Sequence, residues 1–248
     1  MRPRQVHDQV WLVGSGTDPD VLTDPHDCHT YLVWDGANGF LVDCGTGLGF
    51  ERWVQSITQI CDPRTLGGCL VTHYHADHAG GSARASGLGV PVLGSAPTAA
   101  SLRTGDEART QVGRAREAGI YPRDYTMASA TLQPVAEGQT LRSGGISVEV
   151  IDTPGHCDGH MVFLVESGGA LVMFSGDCLF SGGRVSMQAI HDCRLDAYAE
   201  SVTRLAEREI DVMLPGHGDL VLNGAGDQVR RAAASFARLV PPPNFLSS

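Results

Sequence analysis

The run Thr72-His73-Tyr74-His75-Ala76-Asp77-His78-Ala79-Gly80-Gly81 constrains this chain of 248 residues more than any other segment. It follows the apolar stretch Cys69-Leu70-Val71, which reads as a strand ending where the histidines begin. On extended backbone, residues two apart point to the same side, so His73 and His75 can converge on one ion. Asp77 and His78 fall just beyond, where the chain turns, within reach of a second ion. Imidazole and carboxylate donors suit zinc, and also iron or manganese. An isolated histidine is usually a surface or satisfied core residue. Four ligand-type side chains within one short run at a strand end have no comparable structural explanation.

Three later positions repeat the arrangement singly. His156 follows Ile151-Asp152-Thr153-Pro154-Gly155, Asp177 follows Phe174-Ser175-Gly176, and His217 follows Val212-Met213-Leu214-Pro215-Gly216. In each, a glycine lets the backbone turn sharply at a strand tip. Taken alone, a Gly-His or Gly-Asp turn is commonplace; taken together, these three supply the ligands that the first run lacks.

Further apolar, β-rich runs occur at residues 10–13, 30–34, 40–42, 69–72, 90–93, 146–151, 161–165, 171–174 and 212–214. Helical stripes fall at Phe50/Trp53/Val54/Ile57, Tyr198/Val202/Leu205/Ala206 and Val229/Ala233/Phe236/Val240. The order is strands then helix, twice over, which predicts an α/β fold of two similar halves in a single domain, 1–248. Residues 97–127 are polar and arginine-rich and are expected to form an exposed helix or cap. Arg103, Arg109, Arg114, Arg116 and Arg123 in it hint at an anionic substrate, although interleaved acids also fit a solvated helix face. With 42% hydrophobic and 19% charged residues the chain is globular. Its net charge of −10 excludes non-specific binding to nucleic acid or anionic membranes. No run approaches membrane-spanning length, and no apolar signal core follows the N-terminus. The expected setting is therefore the cytoplasm, with the seven cysteines as reduced thiols. The expected partner is a small-molecule substrate, and assembly into a homo-oligomer is left open.

The motifs HYHADH (73–78), TPGH (153–156), SGD (175–177) and PGHG (215–218), with LVDCG (41–45) upstream, resemble those of the metallo-β-lactamase superfamily of metallohydrolases, in that family's order. The resemblance spans most of the chain. It implies a four-layer αβ/βα sandwich and two metal ions, zinc in the first instance. His73, His75 and His156 would hold the first ion; Asp77, His78 and His217 would hold the second; Asp177 would bridge them. The implied activity is hydrolysis of a small carbonyl ester, lactone or thioester by a metal-bridging hydroxide, with Asp77 also accepting or relaying a proton. The upstream acid maps to Asp43, which either supports a ligand or its loop or simply closes a strand-end turn.

Within the superfamily, SGDCLFSGGR (175–184) resembles the glyoxalase II-like hydrolases, but Val185-Ser186-Met187-Gln188 departs from their pattern, and no separate helical substrate domain is expected. The lactonases of this fold place a tyrosine soon after the bridging acid; here Leu179 and Phe180 stand there, leaving Tyr121, Tyr125 and Tyr198 as substitutes. The alternative activity is that of a mononuclear iron persulfide dioxygenase using His73, His156 and Asp177. A binding module that kept only the fold is at odds with an intact set of seven ligands. His160, just after TPGH, either supports the site or starts the next strand. His29, His191 and Arg184 have substrate-contacting and structural readings. Cys157 and Cys178, beside two ligands, read as small buried residues.

Overall fold

Short apolar runs broken by Gly, Asp and Asn turns build sheets here, and the amphipathic stripes between them build the covering helices. The computed structural model describes residues 1–246. The chain divides into two units: Met1–Val135 with Arg142–Ser147, and Ala136–Leu141 with everything from Val148 onward.

The first unit carries strands β1 (Arg4–His7), β2 (Val10–Gly14), β3 (Thr30–Trp34), β4 (Gly39–Val42), β5 (Gly68–Leu70), β6 (Val92–Gly94) and β7 (Gln133–Pro134), in that order across one sheet. β1 to β4 are antiparallel, with Leu32 opposite Leu41. From β4 to β7 the pairing is parallel, with Val42 beside Leu70. That parallel register places Asp43 and the chain after Leu70 at one sheet end, where Asp43 N–H donates to Leu70 C=O at 2.8 Å. Helix α1 (Phe50–Ile57) buries Phe50, Trp53 and Ile57, and the Trp53 indole N–H donates to Thr30 Oγ1 at 3.0 Å. The same unit holds the short helices α2 (Ala76–Ala79), α3 (Ser82–Gly87), α4 (Ala96–Thr104) and α5 (Val112–Glu117).

The second sheet runs β12-β11-β10-β9-β8, formed by β8 (Thr140–Ser143), β9 (Ile146–Asp152), β10 (Met161–Ser167), β11 (Ala170–Gly176) and β12 (Val212–Pro215). The tip of the β8–β9 hairpin belongs to the first unit, where Gly145 N–H donates to Asp35. β9 and β11 are both antiparallel to β10, and β12 is parallel to β11. The C-terminal ends of β9, β11 and β12 therefore share one end of the sheet. Helices α6 (Leu195–Leu205) and α7 (Ala225–Ala237) bury Tyr198, Val202, Leu205, Val229 and Phe236 against Met173, Met213 and Val162. Each fully buried aliphatic side chain there contributes about 1.5–3 kcal/mol.

Some expected boundaries move. The strand expected at 69–72 is β5 and stops at Leu70, because Thr72 turns to bond Asp43. α7 stops short of Val240, which is exposed: Leu239 adopts a left-handed φ of 60° and three prolines follow. β1, β7 and β8 escape a hydrophobicity reading because they are short and polar. Residues 97–127 form α4, α5 and a tail with buried Tyr121 and Tyr125, instead of one exposed helix. Among the described residues no helix is long and apolar enough to cross a membrane.

Candidate metal centre

In the first unit the donor run leaves β5 and enters α2, with His75 at the helix N-cap position. Three imidazoles crowd together: His73 lies 4.6 Å from His75 and 4.2 Å from His78 between ring centroids. All three are buried. Imidazole binds metal in its neutral form through one ring nitrogen.

Hydrogen bonds decide which nitrogen faces the site. The carboxylate of Asp43 only accepts, so His78 Nδ1–H donates to Asp43 Oδ2 at 2.8 Å. Thr72 donates both its backbone N–H and its hydroxyl to Asp43. With that hydroxyl proton committed, the contact of 3.0 Å between Thr72 Oγ1 and His73 is a donation from His73 Nδ1–H. Both rings thus keep the lone pair on Nε2. Asp43 is both things the sequence allowed: it sits just past β4 with φ 59°, and it holds a predicted ligand. His78 Nε2 lies 3.5 Å from Asp77 Oδ2. The other oxygen of Asp77 accepts a hydrogen bond of 3.1 Å from the Tyr121 hydroxyl. Burial and the neighbouring Asp77 charge push the Tyr121 phenol well above its usual range, so it stays a donor. Gly80 and Gly81 allow the run to pack on the loop after β4: a Cβ on Gly81 would lie 2.2 Å from Cys44 C=O, and one on Gly80 2.4 Å from Thr46 C=O.

In the second unit the three donors come from the three strand ends described above. Asp177 stands at their centre. Its Oδ2 lies 3.7 Å from His156 Nε2 and its Oδ1 lies 3.6 Å from His217 Nε2. These are spacings at which one carboxylate faces two ring nitrogens without closing short hydrogen bonds to them. His156 Nδ1–H donates to Ser186 C=O at 2.9 Å, again leaving the Nε2 lone pair toward Asp177. Tyr198, wholly buried on α6, ties this arrangement together. Its hydroxyl lies 2.8 Å from Asp177 C=O and 2.7 Å from Cys178 C=O, and it accepts from Ser186 N–H. Gly155 has φ 142°, and a Cβ there would meet Tyr198 Cα at 2.5 Å, so only glycine lets the loop before His156 lie against α6. His160 accepts from Asp177 N–H at its Nε2 and donates from Nδ1 to Thr153, so both ring nitrogens hold loops and it belongs to the scaffold of the site.

The other candidates have their own surroundings. His29 is buried with Nδ1 at 2.9 Å from Ser15 Oγ, a structural contact. His191 is exposed beside Asp192. Arg184 bonds Ser181 C=O and lies over the Phe245 ring, which makes it a turn residue. Cys157 and Cys178 are buried, and burial pushes the Cys178 thiol up to about 12, which disfavours the thiolate. Of the three tyrosines, Tyr125 donates to the backbone of Thr46 and Tyr198 is spent on backbone carbonyls. Tyr121 alone among them touches a predicted ligand side chain. Thr72 and Ser186 carry no functional signal in the sequence, because each acts through a bond to a residue about 30 positions away that only the fold brings near. In each unit the grouped side chains are imidazoles and carboxylates, donor types that suit a divalent cation of borderline hardness.

Comparison with known proteins agrees. The chain is 30% identical over 79% of its length to the thioesterase pkgB of Emericella nidulans, covering 47% of that protein. It is 27% identical over 79% of its length to the atrochrysone carboxyl ACP thioesterase of the same organism, covering 52% of it. The chain thus spans about half the length of these curated relatives. Its structure superposes on that of the MIM-2 metallo-beta-lactamase with a TM-score of 0.72 at 21% identity, over 96% of this chain and 88% of that one. The α/β metallo-β-lactamase sandwich expected from the motifs is therefore the fold. With residues 23–217 matching the model of the metallo-beta-lactamase superfamily as well, the chain belongs to that superfamily.

Proposed function

We propose that this protein is a metal-dependent hydrolase with a two-ion centre that cleaves a small carbonyl ester, lactone or thioester. The observation that carries the reading is the Asp177 carboxylate, which turns one oxygen to His156 and the other to His217. A carboxylate presented in this way is suited to be shared by two cations. In this reading His73, His75 and His156 hold one ion, Asp77, His78 and His217 hold the other, and Asp177 is common to both. Zinc is the proposed metal, and the donor set would also take iron or manganese. The ions, when bound, supply Lewis acidity that polarises a carbonyl and lowers the pKa of water.

The chain's own residues do the rest. Asp43 and Thr72 hold His78 and His73 in the tautomer that offers Nε2. Asp77 presents Oδ2 toward His78 while its Oδ1 accepts from Tyr121, and its carboxylate is the group assigned to taking or relaying a proton. No serine or cysteine nucleophile is required. Relatives named as thioesterases favour the thioester among the three substrate classes.

The test is elemental analysis of the purified protein, followed by a screen of the zinc-loaded form against thioesters, lactones and esters. About two zinc ions per chain with turnover of one of these classes is the expected result. About one iron per chain with oxygen consumption on a persulfide would replace the hydrolase with a dioxygenase. Absence of both metal uptake and turnover would overturn the proposal altogether.

A further inference from the structure

Two phenols from the segment after α5 reach into the loops of the first unit, and they do different things. The rings of Tyr121 and Tyr125 lie 5.0 Å apart, so they share one local environment. Tyr125 donates to a backbone carbonyl, Thr46 C=O, at 2.9 Å. Tyr121 donates to a side chain, Asp77 Oδ1, at 3.1 Å, across 44 residues of sequence. The segment that delivers them is itself anchored: Arg116 pairs with Glu107 and donates to Tyr125 C=O at 2.6 Å.

A carboxylate on a short side chain has two equivalent oxygens and one soft torsion, so by itself it does not choose which oxygen it presents. Asp77 is only partly shielded, with 18% of its side chain exposed, and its other oxygen faces His78 Nε2 at 3.5 Å. A donor placed on Oδ1 removes the ambiguity. It also withdraws charge from that oxygen and holds the carboxylate plane toward His78.

We propose that Tyr121 is a positioning residue that divides the labour of the two Asp77 oxygens, locking Oδ1 so that Oδ2 is the one offered to a cation. The inference rests on the reading of Asp77 as a ligand of the second ion. It also assigns a role to the segment at 97–127: the segment sets the geometry of a ligand besides covering the loops beneath it. Nothing in the motif HYHADH encodes this, because the donor is contributed from outside it.

The experiment compares Tyr121→Phe, Tyr125→Phe and Asp77→Asn with the unaltered protein. Zinc is titrated into metal-free protein against a chromophoric chelator, and cobalt is titrated in parallel to record the ligand-field spectrum. Tyr121→Phe is expected to weaken the second zinc about tenfold, leave the first within about twofold, and alter the cobalt spectrum of the second site. With a substrate found by the screen, kcat should fall while KM changes little. Tyr125→Phe, equally buried and equally conservative, should leave both affinities and the spectrum unchanged. If Tyr121→Phe binds both ions as the unaltered protein does, or if Tyr125→Phe matches its loss, the proposal is overturned. Asp77→Asn separates this from failure of the underlying reading. If Asp77→Asn leaves second-ion affinity intact, Asp77 is not a ligand, and the role of Tyr121 falls with it.

Discussion

The two units furnish donors in opposite ways. In the first, four donors arrive in one short run, and the backbone leaving β5 and entering α2 brings them together locally. In the second, His156, Asp177 and His217 come from three loops far apart in sequence, and the sheet order β12-β11-β10-β9 brings their strands to a common end. A local cluster needs little besides its own turn. A cluster assembled from distant loops needs clamps, and the second unit supplies two: the Tyr198 hydroxyl across the Asp177 and Ser186 loops, and His160 between Thr153 and Asp177. In the first unit the supports act on the side chains of the run itself: Asp43 holds His78 directly and His73 through Thr72, and Tyr121 bonds Asp77.

The sharpest way to break this contrast is Asp177→Asn, which removes one charge and one acceptor oxygen from the centre of the second cluster. The expected outcome is a drop in kcat/KM of about 1,000-fold, close to 4 kcal/mol of transition-state stabilisation, and loss of at least one zinc per chain by elemental analysis. Asp43→Asn should come next. Its amide cannot accept from Thr72 and His78 together, so metal affinity measured by chelator competition should fall about 10- to 100-fold, with little change in global stability. Tyr198→Phe tests the clamp of the second unit. It leaves two buried carbonyls and one N–H short of a partner, and the expected cost is about 2 kcal/mol in denaturant unfolding together with an activity loss near tenfold. A variant that lost activity without stability would show that the clamp acts on geometry alone.

The smallest effect concerns Asp152, whose carboxyl is raised above its ordinary value of 3.8 by burial. Because the folded state favours its protonated form, the contribution of Asp152 to stability is greatest at low pH and is lost as pH rises from about 3.8 through the folded value. Asp152→Asn should therefore be the more stable form at neutral pH, by about 0.5 kcal/mol. Melting curves from pH 3 to 8 should show that gap closing as the wild-type carboxyl becomes protonated.

The run at 73–78 was legible because its chemistry is written in consecutive residues and its geometry follows from one strand end. The later donors were legible only as three glycine-preceded positions; that they share a sheet end depends on pairing between β9, β10, β11 and β12, which no local pattern encodes. The family was legible in the order of the motifs at 73–78, 153–156, 175–177 and 215–218, and the match of residues 23–217 to the family model shows the membership. Tertiary structure decided which nitrogen His73, His78 and His156 present, because Thr72, Asp43 and Ser186 set their tautomers through a network of bonds spanning up to 35 residues. It also separated three tyrosines that looked equivalent in the sequence: one bonds the Asp77 carboxylate, one a loop carbonyl and one the backbone at Asp177. Residue type states what a side chain can donate or accept, whereas the partner it meets depends on where the rest of the chain has folded.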